Sequence, residues 1–115
     1  MGNVKGKRTL EKGCGGGQCS IAFAKQGAMT TGIDISEEQI KFAKKLAKKE
    51  KVEVKFYMGN IENLKQIKSK SQDIVFSSYA LQYIKNLKKC FKEVYRVLKN
   101  KGIFVFSLDH PFLVS

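Results

Sequence analysis

The sequence predicts an α/β fold built on a parallel sheet, and three observations carry that reading. Short β-like runs alternate with helical runs from one end of the 115 residues to the other. A glycine-rich stretch, Gly13 to Gly17, stands between the first β-run and the first helical run. A lone acidic residue, Asp34, closes the second β-run.

Each element has its own signal. Residues 8–12 (RTLEK) read as a first strand and residues 18–26 (QCSIAFAKQ) as a helix stopped by Gly27. Residues 29–33 form a second strand that ends at Asp34. Ser36 and Gln39 then have capping-box spacing. The helix they open carries Ile40, Ala43, Leu46 and Ala47 on one face, with lysines 41, 44, 45, 48 and 49 mostly on the other. Residues 53–58 make a third strand and 73–78 a fourth. Residues 86–99 form an amphipathic helix with Leu87, Cys90, Phe91, Val94, Val97 and Leu98 at helical spacing. Asn100-Lys101-Gly102 turns the chain into a fifth strand at 103–108, stopped near Pro111.

Composition narrows the function classes. The length suits one domain, and the hydrophobic share of 43% is that of a globular chain. The net charge is +12, yet only Arg8 and Arg96 of the 22 basic residues are arginines. Readers of nucleic acid lean on the arginine fork. The lysines therefore read as solvated faces, which argues against a nucleic-acid partner. Cys14, Cys19 and Cys90 are odd in number and lack zinc-ligand spacing, and His110 stands far from them. Reduced thiols and no metal site are expected. No signal-peptide core and no apolar run near 18 residues occurs, so the expectation is a soluble, cytoplasmic protein without a membrane partner.

The glycine stretch has a chemical reading. Glycines allow sharp turns and close approach of backbone to ligand, and the helix behind them offers unpaired N–H groups. In a parallel sheet this loop and Asp34 reach the same carboxyl edge, where a carboxylate can accept hydrogen bonds from ribose hydroxyls. A dinucleotide site wants G-x-G-x-x-G. Counted from Gly13 the third glycine position holds Gln18, and counted from Gly15 it holds Ser20.

The run Glu11-Lys12-Gly13-Cys14-Gly15-Gly16-Gly17 instead resembles the first motif of class I S-adenosylmethionine-dependent methyltransferases. GIDIS at 32–36 looks like that family's second cofactor motif, and GNIENL at 59–64 like its adenine-contacting segment. DIVFSSYALQYI at 73–84 looks like its fourth strand and the turn beyond. RVLKNKGIFVFSL at 96–108 looks like its last helix, turn and fifth strand. The resemblance implies a Rossmann-like parallel sheet with helices on both faces and strand order 3-2-1-4-5, lacking the family's last two strands. It implies one S-adenosylmethionine-binding domain over 1–115, a partial methyltransferase core, with weak or absent methyl transfer by the chain alone.

Site roles follow from the resemblance. Glu11 would orient the loop and the methionine end of the cofactor. Gly13, Cys14, Gly15 and Gly17 would form the loop that approaches it. Asp34 would hold the ribose hydroxyls and Ile35 would pack on the adenine. Asn60 would receive the adenine amino group, the Ile61 backbone would meet the ring, and the Ser77 carbonyl would face the methionine amino group. Tyr79 and His110 are the catalytic candidates, with Gln82 and Asp109 near the same edge. His110 reads first as a structural or solvent-facing residue and second as an acceptor contact or base, and Tyr83, Phe91 and Tyr95 read as core or surface aromatics.

Two positions depart from the family. Lys12 stands where an apolar residue is usual, on a central strand, and must find a partner or bring its head to water. Asn60 stands where Asp is usual. The acceptor is expected to be a small molecule. A non-catalytic cofactor- or partner-binding module is the alternative, and a nicotinamide-dependent oxidoreductase the third reading. The fifth strand is expected to stand at an open edge, favouring a homodimer through residues 103–108 over coverage by the tail 109–115.

Overall fold

A computed structural model describes residues 3–77, 87–106 and 112–114. Its elements are β1 (Arg8–Lys12), α1 (Gln18–Lys25), β2 (Met29–Asp34), α2 (Glu37–Lys49), β3 (Val54–Met58), β4 (Gln72–Ser77), α3 (Leu87–Val97), β5 (Leu98–Phe106) and β6 (Phe112–Val114). The sheet order is β3-β2-β1-β4-β5-β6. The first five strands pair in parallel, in the expected order 3-2-1-4-5, and β6 runs antiparallel to β5. The chain moves outward one way from β1 through β3, then returns to β4 and moves the other way. The crevice between β1 and β4 is where such sheets bind ligands, beyond the strands' carboxyl ends.

Alternation along the strands sorts the core into two faces. Leu10, Ile33, Val75 and Phe104 face α3, where they meet Val94, Val97 and, from the stretch after β3, Leu64 and Ile67. On the other face Ile21 of α1 and Ile40, Ala43 and Ala47 of α2 pack on Phe56 and Cys14. Val4, Ala28, Ile74, Phe76 and Val105 complete that face, with Phe23 of α1 against them. The Phe23 and Phe76 rings meet edge to face at 4.7 Å. Ser36 caps α2 as the sequence predicts, its hydroxyl accepting the Gln39 N–H at 3.3 Å.

Two expectations are corrected. The last helix stops at Val97, and Leu98 and Lys99 already belong to β5. The expected turn at 100–102 survives as a bulge inside that strand. Gln72 pairs with Leu98 but Ile74 with Ile103, so the extra residues of β5 loop out of the ladder. Lys101 sits at φ +66°, and a Cβ on Gly102 would come within 2.8 Å of Leu98 Cδ2 and 2.9 Å of the Lys99 carbonyl oxygen. Leu98 fits the helical stripe by spacing alone, but ladder pairing with Gln72 holds it in the sheet. The second correction concerns the outer edge of β5, which is not open. Phe104, Val105 and Phe106 pair with Val114, Leu113 and Phe112 of β6, so the tail satisfies the backbone groups that were expected to seek a second chain.

Candidate functional site

The glycine loop is shaped by backbone bonds to β2. The Gly13 and Cys14 N–H groups both donate to the Ile33 carbonyl, at 2.7 and 2.9 Å. The Gly17 N–H donates to the Cys14 carbonyl at 2.9 Å, closing the turn that starts α1. Gly15 and Gly17 both take the left-handed backbone, at φ +53° and +84°, for different reasons. A Cβ at Gly17 would lie 2.8 Å from Ala43 Cβ and 2.9 Å from Phe56 Cζ, so this glycine lets α2 and β3 pack against the loop. A Cβ at Gly15 would meet nothing within 4 Å. Gly15 therefore faces open space, and Gly17 faces protein.

Asp34 is locked to that loop. Its Oδ2 accepts the Gly15 N–H and its Oδ1 the Ser36 N–H, both at 2.8 Å, and the residue is buried. An ionised carboxylate offers about four acceptor positions, so two bonds leave capacity for a pair of ligand hydroxyls. Ile35 beside it is 69% exposed, an apolar side chain held at the mouth of the crevice.

Glu11 is buried at the end of β1 and accepts a hydrogen bond from the Ser20 hydroxyl of α1 at 2.5 Å. Ser20 is the residue that a G-x-G-x-x-G count from Gly15 would need as glycine. Here its side chain is committed to Glu11. Glu11 and Asp34 bring negative charge to the loop, and the neighbouring thiols register it. Burial pushes Cys14 up to about 12, with Glu11 and then Asp34 adding to it. Burial and Glu11 push Cys19 up to about 11. Such a field favours a ligand with cationic groups.

The other sequence-predicted residues fall as follows. Cys14 turns its side chain into the core, its N–H donates to β2 and its carbonyl accepts within the loop, so it shapes the loop from beneath. Asn60 Oδ1 accepts the Glu62 N–H at 2.8 Å, which fixes the turn after β3 with Ile61 half-buried beside it. Ser77 ends β4 opposite Lys12, at the crevice. Phe91 and Tyr95 are exposed on α3. Tyr79, Gln82, Tyr83, Asp109 and His110 lie outside the described residues.

Lys12 finds its partner inside. It is fully buried, with Nζ 2.7 Å from Cys90 Sγ of α3 and 5.9 Å from the Phe104 ring centroid. No periodicity announces that contact.

A second feature that the motifs do not reveal is the clamp on the stretch after β3. Arg96 Nε donates to Glu93 Oε2 at 2.9 Å, while its two terminal nitrogens donate to the carbonyls of Ile67 and Leu64 at 3.1 and 2.8 Å. Glu93 Oε1 in turn accepts the Leu64 N–H at 3.0 Å. One ion pair on α3 thereby holds the chain between Asn60 and Ser71 against the sheet. The hydrogen bond from Arg96 holds the Glu93 carboxyl below its usual range; burial opposes this and the Leu64 N–H assists. The only signal in the sequence is that Arg96 is one of two arginines, three residues after an acid.

Away from the crevice, a groove of about 930 Å³ lies by the amino ends of the strands, lined by Arg8, Lys44, Lys48 and Lys55 among others. It is at the wrong end of the sheet for the glycine loop. Among the described residues no cluster of His, Cys, Asp or Glu is placed to hold a metal, and no helix is long and apolar enough to cross a membrane.

Comparison with known proteins decides the family. Residues 3–110 match a family described as "Methyltransferase domain". The chain belongs to that methyltransferase family. The ubiquinone biosynthesis O-methyltransferase of Coxiella burnetii is 34% identical over 104 residues, covering 90% of this chain and 44% of the relative. The S-adenosylmethionine-dependent methyltransferase of Mesorhizobium loti superposes with a TM-score of 0.83, at 27% identity over 92% of this chain and 48% of that one. The cyclase SpnF has the same fold, with a TM-score of 0.82 at 28% identity, over 89% of this chain and 38% of its own. The chain spans under half the length of these relatives. S-adenosylmethionine is the cofactor expected of this family and fold. The site fits it: open space over Gly15, a carboxylate with acceptor capacity at the end of β2, and the acidic side chains of Glu11 and Asp34 beside the loop.

Proposed function

We propose that this chain is the cofactor-binding half of an S-adenosylmethionine-dependent methyltransferase acting on a small-molecule acceptor. The observation that carries the reading is the Gly15–Asp34 arrangement, an open glycine backbone bonded to a buried carboxylate at the sheet's switch point. Asp34 would take the ribose hydroxyls and Ile35 one adenine face. The Asn60 side chain would receive the adenine amino group through the lone pair that the Glu62 N–H leaves free. Glu11, fixed by Ser20, would set the loop against the methionine end. The bound cofactor supplies an electrophilic methyl group on sulfur. Transfer then depends mainly on positioning the acceptor in line with it. Tyr79 and His110 remain the candidates for contact with the acceptor. A small acceptor is supported by the name of the Coxiella relative and by the scarcity of arginine.

A second reading has one observation in its favour. SpnF shares the fold and is named a cyclase, so the fold alone does not entail methyl transfer. One experiment separates the two. The protein is incubated with methyl-labelled S-adenosylmethionine and a cell extract, then fractionated into small molecules, protein and nucleic acid. Label among small molecules, lost with Asp34→Ala, is expected. Label in protein or RNA would overturn the small-molecule acceptor, and cofactor binding without label anywhere would favour the non-catalytic module.

A further inference from the structure

We propose that Lys12 and Cys90 form an oxidative modification site in which a single oxygen atom bridges the lysine nitrogen to the cysteine sulfur. The two residues are 78 positions apart, both fully buried, and their Nζ and Sγ atoms stand 2.7 Å apart. That is shorter than the usual N–H···O separation of about 2.9 Å, although sulfur is a larger atom than oxygen. It is also too long for a direct nitrogen–sulfur bond. A bent N–O–S link, two single bonds meeting at one oxygen, spans such a gap with little movement of either side chain.

Among the described residues these two side chains are each other's polar partner. Among the described residues no carboxylate pairs with Lys12. The other two thiols belong to the opposite face of the sheet, Cys14 among the α1 and α2 contacts and Cys19 beside Phe23. Neither is bonded to Cys90. An oxidised Cys90 sulfur therefore has an amine, and no second thiol, as its neighbour. Burial keeps out bulky thiols such as glutathione, whereas a peroxide is small enough to enter with local opening.

The chemistry balances with hydrogen peroxide as the oxidant. One Lys12 amine, one Cys90 thiol and two peroxide molecules give the N–O–S link and three waters. The S–H bond and one N–H bond break, and the N–O and O–S bonds form. Sulfur and nitrogen each lose two electrons, and the two peroxide O–O bonds take up the four. A lysine that begins as ammonium releases its extra proton to solvent. Because Lys12 directly precedes Gly13, the link ties the root of the glycine loop to α3.

The test uses the full chain, reduced and then exposed to graded hydrogen peroxide, read by intact mass and peptide mapping. The expected product is about 14 Da heavier, one oxygen gained and two hydrogens lost, a rung beside the usual sulfenic and sulfinic products. Trypsin should fail to cut after Lys12, the Lys12 and Cys90 peptides should travel as one species, and dithiothreitol should separate them. A methyl group adds nearly the same mass, but it joins no peptides and resists dithiothreitol. Cys90→Ser and Lys12→Arg should each abolish the species. Cys90 recovered as sulfinic acid or unmodified, with Lys12 cleavable by trypsin, would overturn the proposal from the wild-type protein alone. Persistence of the species in Cys90→Ser would overturn it equally.

Discussion

Adding one methyl group to the glycine loop should have opposite consequences at Gly15 and Gly17. At Gly17 an alanine must keep φ near +84°, and left-handed backbone costs an L-residue about 1–2 kcal/mol. Its Cβ would also sit 2.8 Å from Ala43 Cβ and 2.9 Å from Phe56 Cζ, and forcing a methyl into a packed core costs about 1–3 kcal/mol. Less the ~0.4–1 kcal/mol that a stiffer unfolded chain returns, Gly17→Ala should lose roughly 1–4.5 kcal/mol, a large part of the ~5–15 kcal/mol typical of a domain. At Gly15 the backbone cost is similar, but the Cβ meets nothing within 4 Å. The stiffer unfolded chain returns about 0.4–1 kcal/mol. Gly15→Ala should cost no more than about 1.5 kcal/mol in urea unfolding. Its methyl projects into the open space proposed for the ligand, so S-adenosylhomocysteine affinity should drop at least about tenfold, or 1.4 kcal/mol. Equal stability of the two variants would refute the packing role of Gly17. Unchanged affinity in Gly15→Ala would refute the placement of the ligand over Gly15.

Asp34→Ala should weaken S-adenosylhomocysteine binding by about 1.5–3 kcal/mol, the range for hydrogen bonds to a charged group; isothermal titration checks it, and unchanged affinity would remove Asp34 from the site. Arg96→Leu strips two backbone carbonyls and Glu93 of their donor. Since the Arg96 side chain is a third exposed, the low end applies, and urea unfolding should show a loss of about 2–3 kcal/mol. Arg96→Lys should recover only part, because it keeps the charge without the fork. The Glu93 carboxyl is held low in the folded protein, so its stabilisation is present above the ordinary carboxylate value of about 4.3 and fades as pH falls through the folded value. The gap between wild type and Arg96→Leu should accordingly narrow below about pH 4, and a gap that stays constant to pH 2 would contradict the role of the ion pair. Removing residues 112–115 uncovers the β5 edge at Phe104–Phe106, and light scattering should then report concentration-dependent association that the intact chain lacks.

What the sequence makes legible is local. The Ser36 cap joins residues three positions apart, and the glycine run and the Asp at the end of β2 are each readable within a few residues, although the bonds from Gly13 to Ile33 and from Gly15 to Asp34 that bring them together are tertiary. Strand order is legible through the family resemblance, whose motifs follow one another along the chain. The misses are tertiary. Leu98 continues the apolar spacing of α3, and only its pairing with Gln72 puts it in β5. Strand β6 is three residues long beside Pro111 and has no pattern of its own. The Arg96 clamp reaches carbonyls 29 and 32 positions away, and Lys12 reaches Cys90 78 positions away. Such contacts depend on which faces the sheet brings together, and no periodicity within one element encodes them.

The central claim is that the crevice between β1 and β4 holds S-adenosylmethionine. Calorimetric titration of the purified chain with S-adenosylhomocysteine and, in parallel, with NAD tests it most directly. The account predicts saturable one-to-one binding of S-adenosylhomocysteine and none of NAD, because Ser20 stands bonded to Glu11 where a dinucleotide loop needs glycine. Binding of NAD in preference to S-adenosylhomocysteine, or of neither by a folded chain, would contradict it.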